Sequence, residues 1–202
     1  MKMLLFVVLF LLSIFSYGFK DPNLVLTSNP TIQSFILPLV HLVFYERPWA
    51  TALFFVFIAS LFGLYIAFLK NTPKKIAWMI GIGGMILAFS YPALTHDLFN
   101  YVTTAKVAYT YHENPYLVMP IEIPNEQYLA FTRAANKVAL YCPVWILLTA
   151  IPHVLGNGNI WLTIIMFKLM NLLWYFVFSY LIYRVTKSIK NVLFFALNPL
   201  IL

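Results

Sequence analysis

Apolar residues occur along this chain in long runs that are separated by short polar stretches. An α-helix needs about 20 apolar residues to cross the ~30 Å hydrocarbon core of a bilayer. We therefore predict membrane-crossing helices at residues 3–19, 50–69, 76–94, 160–184 and 191–202 onward. The first run is also compatible with a secretory signal. The last run is still apolar at the final residue, which favours a fragment of a longer protein.

Two further apolar runs are short or contain proline. Residues 33–45 predict an interfacial segment. The basic stretches 70–75 and 184–190 both belong on the cytoplasmic side, because cytoplasmic loops carry an excess of Lys and Arg. They share a side only if residues 138–155 do not cross. We therefore predict a proline-interrupted, partly immersed or re-entrant hairpin there, within an outer segment that covers residues 95–159.

Composition limits the class of protein. Of 202 residues, 62% are hydrophobic and 9% are charged, whereas soluble domains are about 25% charged. The chain is too apolar for a soluble or disordered protein, and a single cysteine excludes an internal disulfide. The net charge of +7 is explained by cytoplasmic loops, so no nucleic-acid partner is expected. The predicted fold is all-α: a polytopic transmembrane helical bundle with extracytoplasmic juxtamembrane helices, in the cell membrane.

The outer segment contains the residues that could carry chemistry. Thr95 is a candidate N-cap for a helix that runs to about Tyr111 and places Asp97, Tyr101 and Thr104 on one face. A carboxylate at the mouth of a crossing helix suits a general base that takes a proton from a hydroxyl group. The alternative is that Asp97 only complements the positive helix N-terminus.

Other polar positions have two interpretations each. Asn114 and Tyr116 flank a proline and form either a turn or a substrate contact. Tyr141 lies in an aromatic, proline-containing element that is typical of an interfacial belt. Lys168 lies inside an apolar run, where a cation snorkels, pairs or binds an anion such as phosphate. Three more cations could meet an anionic lipid headgroup: Lys106, Arg133 and Lys137.

The order of these elements resembles a known family. The matching elements are Asp97-Leu98-Phe99-Asn100-Tyr101, Asn114-Pro115-Tyr116, Tyr141-x-Pro143-Val144-Trp145 and Asn198-Pro199. In this order and spacing they resemble the N-terminal part of GT-C superfamily glycosyltransferases, and among these the polyprenol-phosphate-mannose-dependent mannosyltransferases. The match covers most of residues 90–202.

The resemblance implies a multi-helix fold with an active site on the outer face. It implies transfer of a hexose, for this subfamily mannose, from a polyprenyl-phosphate donor to a glycan or lipid acceptor, with inversion at the anomeric carbon. Asp97 then corresponds to the family's general base. Tyr101, Asn114, Tyr116 and Tyr141 would shape the site, and Lys168 is the leading candidate to hold the donor phosphate.

One departure from the family concerns metal. Many relatives carry a second acid near the first, whereas here Thr95 and His96 precede Asp97, so no cofactor is predicted and a divalent metal is not supported. The four histidines have no metal-ligand spacing.

Two other classes of function remain open: a multi-span transporter or lipid flippase subunit, and a structural membrane subunit. A transporter would need facing polar residues at mid-membrane depth. The crossings are nearly free of such residues apart from Lys168 and Asn171.

Overall fold

A computed structural model describes residues 1–95 and 97–201 of the chain. These residues form helices, turns and coil, with no β-strand among them. The α-helices are α1 Lys2–Ser16, α2 Pro30–Tyr45, α3 Arg47–Lys70, α4 Ile76–Ala88, α5 Asp97–Tyr109, α6 Pro143–Gly156, α7 Ile160–Thr186 and α8 Ile189–Ala196. Three short 3-10 helices lie at Tyr17–Phe19, Pro120–Glu122 and Leu129–Phe131. The predicted all-α class is confirmed at this level.

Three helical segments in the described part of the chain are long and apolar enough to cross a membrane: Lys2–Phe19, Arg47–Lys70 and Ile160–Thr186. The predicted crossings at 3–19, 50–69 and 160–184 fall within them. The other apolar helices, α2, α4 and α6, have 10–17 residues. Length and composition therefore support membrane association through three segments, which is less than the complete multi-helix bundle predicted.

Helix α4 ends earlier than predicted. The apolar run suggested a helix to residue 94, but α4 stops at Ala88. The Ser90 hydroxyl donates to the Leu87 carbonyl oxygen at 2.7 Å, and the Tyr91 N–H donates to Ser16 Oγ at 2.8 Å. Pro92 follows, and a residue before proline is pushed out of the α region. These two hydrogen bonds, one local and one from a distant part of the chain, and this proline end the helix, although the sequence remains apolar.

Helix α8 also ends before the apolar run does. It stops at Ala196, whereas the predicted crossing covered 191–202 onward. Asn198 Oδ1 accepts a hydrogen bond from the Leu200 N–H at 2.9 Å, which closes a turn around Pro199. Leu202 lies outside the described residues, as does His96. The described part of this run is therefore a helix of eight residues followed by a turn.

The predicted hairpin at residues 138–155 is wrong in its local structure. A single helix, α6, begins at Pro143 and continues through Pro152 to Gly156. Proline is well suited to the first helical position, because the N–H it lacks has no partner there. At Pro152 the helix loses one backbone hydrogen bond but does not break. Helix α2 likewise continues through Pro38 across the segment predicted to be interfacial.

The chain divides into two compact units. Unit 1 contains residues 1–20, 29–91 and 168–202, and unit 2 contains residues 21–28 and 92–167. The buried core of unit 1 is built mainly from apolar side chains of α1, α3, α4 and α8, among them Leu9, Leu61, Met79 and Leu193. In unit 2, α5 packs against α6 and supports the segment between them.

Within unit 1, helices α1 and α4 run side by side in the same direction. Lys2 Nζ donates to the Lys74 carbonyl oxygen at 2.7 Å, and Tyr17 Oη donates to the Phe89 carbonyl oxygen at 2.7 Å. Between these ends, the Ser13 hydroxyl donates to the Ile86 carbonyl oxygen at 3.2 Å. The beginning of the chain and the basic turn before α4 therefore lie at the same end of unit 1.

Candidate functional site

Asp97 occupies the first turn of α5 in unit 2 and is exposed. Its backbone N–H donates to Thr95 Oγ1 at 3.1 Å, as expected for a side chain that caps a helix N-terminus. The residue between them, His96, lies outside the described residues. A carboxyl group in a first turn also interacts favourably with the positive end of the helix, so the helix-capping interpretation of Asp97 and the catalytic one remain compatible.

Asn100 connects Asp97 to the rest of unit 2. It lies one turn further along α5 and is 6% exposed. Its Nδ2 donates to Asp97 Oδ1 at 3.2 Å, and its Oδ1 accepts the Ala134 N–H at 3.1 Å. The Ala134 contact fixes which way the amide points, because only the oxygen can accept from a backbone N–H. Asn100 therefore presents an N–H to Asp97.

Tyr101 lies at the centre of an aromatic cluster, which we define as Tyr101, Tyr141, Trp145 and Phe167. The Tyr101 ring centroid is 4.7 Å from that of Tyr141 and 5.1 Å from that of Trp145, and both pairs are edge-to-face. Phe167 lies 6.2 Å away. These distances are in the range in which ring pairs stabilise each other. The Trp145 Nε1–H is buried and has no acceptor among the described residues.

The two tyrosines of this cluster stay protonated at neutral pH. Burial raises the pKa of Tyr141 to about 12; a hydrogen bond from Asn100 opposes the rise, while Asp97 and Tyr101 add to it. The pKa of Tyr101 is also raised, mainly by burial and to a lesser extent by the nearby charge of Asp97. Both phenols can donate hydrogen bonds but cannot act as bases. Asp97 supplies the carboxyl group at this position.

The segment around Asn114 and Tyr116 contacts Tyr141 through the backbone. Asn114 Oδ1 accepts the Tyr116 N–H at 2.9 Å, which forms the predicted turn. Tyr116 Oη donates to the Tyr141 carbonyl oxygen at 2.7 Å, and the Ala139 N–H donates to the Pro115 carbonyl oxygen at 2.7 Å. Tyr116 therefore joins the cluster at its edge. Among the described residues, the Asn114 side chain bonds only locally, within this turn.

Unit 2 also contains a buried ion pair that the sequence analysis missed. Lys106 Nζ lies 2.6 Å from Glu126 Oε1, and Tyr111 Oη donates to Glu126 Oε2 at 2.6 Å. The Tyr128 N–H donates to Glu126 Oε1 at 3.0 Å, and Lys106 Nζ lies 4.9 Å from the centroid of the Tyr128 ring. Lys106, which the sequence suggested for a lipid headgroup, is thus paired within the protein. Apart from its charge, nothing in the sequence at Glu126 indicated that it pairs with Lys106.

Burial alone would raise the pKa of Glu126, but its hydrogen bonds with Lys106, Tyr111 and the Tyr128 backbone outweigh this and lower it. The Glu126 hydrogen bond is in turn the largest cause that raises the pKa of Tyr111 to about 12. A charged pair with these bonds fastens the segment after α5 to the side of that helix. This segment includes Ala134, whose N–H orients Asn100.

Lys168, the remaining predicted site residue, belongs to unit 1. Its Nζ donates to Ser90 Oγ at 3.0 Å. The structure thus brings together Asp97, Tyr101 and Tyr141, with Tyr116 at the edge, and places Lys168 in a different unit.

Enclosed space near Asn100 and Tyr141 is small. A cavity of about 10 Å³ lies beside these residues and Thr104. One water molecule is the most that such a volume holds, so this cavity does not accommodate a sugar. Among the described residues, no three His, Cys, Asp or Glu side chains lie close enough together to hold a metal ion.

The arrangement provides a carboxyl group, an amide that orients it, and a layer of neutral aromatic side chains beside it. This combination can accept a proton from a hydroxyl group and can contact a ring-shaped, partly apolar ligand. Comparisons with known proteins found no protein-family model, no curated protein and no solved structure that matches this chain.

Proposed function

We propose that the chain is an integral-membrane glycosyltransferase that moves a hexose, in the first instance mannose, from a polyprenyl-phosphate donor to a glycan or lipid acceptor. The observation that carries the proposal is the exposed Asp97 carboxyl group, oriented by the Asn100 amide and adjacent to Tyr101 and Tyr141. The donor class is inferred from the order of the outer-loop elements, which resembles that of glycosyltransferases with polyprenyl-phosphate donors. We place the reaction at the outer face of the cell membrane.

The proposed reaction has one chemical step. The acceptor hydroxyl oxygen attacks the anomeric carbon of the donor, and its proton passes to the Asp97 carboxylate. The bond between the anomeric carbon and the phosphate oxygen breaks, and polyprenyl phosphate leaves as an anion. Attack from the face opposite the leaving group inverts the anomeric centre. Asp97 thus serves as the general base, which is a contribution of roughly 10²–10⁴-fold in rate in other enzymes.

A lipid-linked donor is supported by the outer surface of α6. Val144, Leu147, Ile151 and Val154 follow one another at helical spacing and are each more than half exposed. Such a stripe suits contact with lipid at the membrane boundary, because it leaves apolar area without a protein partner. Trp145 of the aromatic cluster lies on the same helix. A donor whose chain is dissolved in the bilayer could therefore approach unit 2 from the lipid side.

The experiment is a transfer assay with the purified full-length protein in proteoliposomes. Polyprenyl-phosphate mannose and polyprenyl-phosphate glucose, each labelled in the sugar, are compared with the corresponding nucleotide sugars. We expect labelled acceptor product from a lipid donor and none from a nucleotide sugar. Product from nucleotide sugars alone, or no product from any lipid donor with a range of glycan and lipid acceptors, would contradict the proposal.

A further inference from the structure

Lys168 lies in an unusual position for a charged residue. It is the ninth residue of α7, about 12 Å along a helix that is long and apolar enough to cross a membrane. The side chain is only partly exposed. Charged residues at such positions are costly, and they usually pair, face a cavity or serve a function. The question is what balances the charge of Lys168.

Unit 1 offers almost no carboxyl group for this purpose. Of the six acids in the chain, only Glu46 belongs to unit 1, and it lies 3.6 Å from His41 Nδ1. Among the described residues, no ion pair involves Lys168. Its one hydrogen bond within the described part of the chain goes to Ser90 Oγ, whose own hydrogen is donated to the Leu87 carbonyl oxygen. An ammonium group has three donors, so the Ser90 contact uses one of them.

A cavity adjoins this side chain. It has a volume of about 100 Å³, roughly that of three water molecules, and lies between α4 and α7 within unit 1. Lys168 and Asn171 supply its polar lining, and Leu87, Ala88 and Leu172 supply apolar walls. Tyr175 also lines it, but its hydroxyl donates to the Ala196 carbonyl oxygen at 2.7 Å. The remaining donors of Lys168 and the Asn171 amide, at an apolar opening, match a ligand with a small anionic end and a hydrocarbon body.

We propose that this crevice binds the phosphate group of an anionic membrane lipid, with Lys168 Nζ as the main contact and Asn171 as the second. Since the one acid of unit 1, Glu46, lies beside His41, the charge of Lys168 is left to an anion that binds in this crevice. A lipid supplies that anion together with a chain that fits the aliphatic walls. The proposal stands whether or not the chain transfers sugar, because it uses no residue of unit 2.

The test is lipid binding to the purified full-length protein in detergent, followed by native mass spectrometry. Four probes are titrated separately: a long-chain isoprenyl phosphate, phosphatidylglycerol, phosphatidylcholine and inorganic phosphate. We expect the isoprenyl phosphate or phosphatidylglycerol to bind at least about tenfold more tightly than phosphatidylcholine, because the choline ammonium group of phosphatidylcholine cancels the charge of its phosphate and repels Lys168. Equal binding of phosphatidylcholine would overturn the proposal. Equal binding of inorganic phosphate would overturn the assignment to a lipid.

Variants identify the contact. Lys168→Met should weaken binding of the anionic lipid about tenfold or more, whereas Lys190→Met, the same change at an exposed position of unit 1, should not. Ser90→Ala removes the protein acceptor but keeps the ammonium group, so anionic lipid binding should persist. Unchanged binding in folded Lys168→Met would contradict the proposal. If that variant does not fold, the comparison of probes on the unaltered protein still decides the outcome.

Discussion

Asn100 is the residue on which the geometry around Asp97 depends. Its oxygen is held by the Ala134 N–H, and its N–H donates to Asp97 Oδ1. Asn100→Asp keeps an acceptor for Ala134 but replaces the donor to Asp97 with a second carboxyl oxygen. We expect kcat for sugar transfer to fall about tenfold, the order of one hydrogen bond to a charged group, while KM for the donor changes little.

Asn100→Ala provides the comparison, because it removes the whole amide and with it the contacts to Asp97, Ala134 and Tyr141. It leaves the Ala134 N–H without its acceptor, so we expect unfolding stability to fall by about 1–3 kcal/mol as well. A merely structural Asn100 would lower stability in both variants without lowering kcat of the folded protein. If Asn100→Asp has the same kcat as the unaltered enzyme, Asn100 does not orient Asp97 for catalysis.

Glu126 predicts how stability depends on pH. Its pKa in the folded protein is lowered, with the bonds from Lys106 and Tyr111 outweighing the effect of burial. The stabilisation is therefore present above the carboxyl group's ordinary value, about 4.3, and is lost as pH falls through the folded value. We expect the melting temperature of the purified protein, followed by tryptophan fluorescence in detergent, to fall as pH is lowered below about 4.

Glu126→Gln should remove most of this pH dependence and cost about 3 kcal/mol at pH 7, because it leaves Lys106 without its counter-charge. Glu113→Gln is the matched control, since Glu113 is an exposed acid of the same unit. Its melting curve should follow that of the unaltered protein. If the two substitutions have equal small effects, the ion pair does not hold this segment in place.

At the scale of helices, the orientation of α1 and α4 leads to a topology prediction. Lys2 contacts the basic turn before α4, so we expect both on one side of the membrane, and their positive charges predict that this is the cytoplasmic side. Cys142, the only cysteine, is exposed and lies in the predicted outer segment. A membrane-impermeant maleimide should label Cys142 in intact cells, and Cys142→Ser should abolish that labelling.

The opposite side is tested in the Cys142→Ser background with Asn71→Cys, an exposed position in the basic turn. We expect labelling at position 71 only after the membrane is permeabilised. Labelling at this position in intact cells, with none at Cys142, would reverse the proposed orientation. It would also place the outer segment, with Asp97, on the cytoplasmic side.

The sequence predicted the long helices better than their ends. Apolar runs predicted α3 and α7 correctly, because the length and composition of such a run are enough to predict a membrane-crossing helix without knowledge of its neighbours. The end of α4 depends instead on Ser16 Oγ, which is distant in sequence and accepts the Tyr91 N–H. The single helix through Pro152 likewise could not be predicted from composition, since proline removes one hydrogen bond without always ending a helix.

The candidate site was predicted in part for a similar reason. The helical spacing of Asp97, Asn100 and Tyr101 follows from local periodicity. The approach of Tyr141 to Tyr101 joins positions far apart in sequence, and only the resemblance to a family suggested it. The pairing of Lys106 with Glu126 and that of Asn100 with Ala134 depend on the path of the segment between α5 and α6. That path follows no periodic pattern.

At the scale of the whole molecule, charge is divided between the two units. Unit 1 contains ten of the 13 Lys and Arg residues and one of the six acids, whereas unit 2 contains the remaining three cations and five acids. The basic stretches 70–75 and 184–190 both belong to unit 1. Acidic and aromatic groups thus occur together in the unit that we propose carries the chemistry, and the cations from which we predict the topology occur in the other.

The most direct test of the central claim is the turnover of Asp97→Asn in the full-length protein. This substitution keeps the size of the side chain but removes its ability to take a proton. We expect sugar transfer from the labelled lipid donor to fall about a hundredfold or more, while Glu113→Gln retains full turnover. The melting temperature and helix content of both variants should match those of the unaltered protein. Undiminished turnover in stably folded Asp97→Asn would contradict the account.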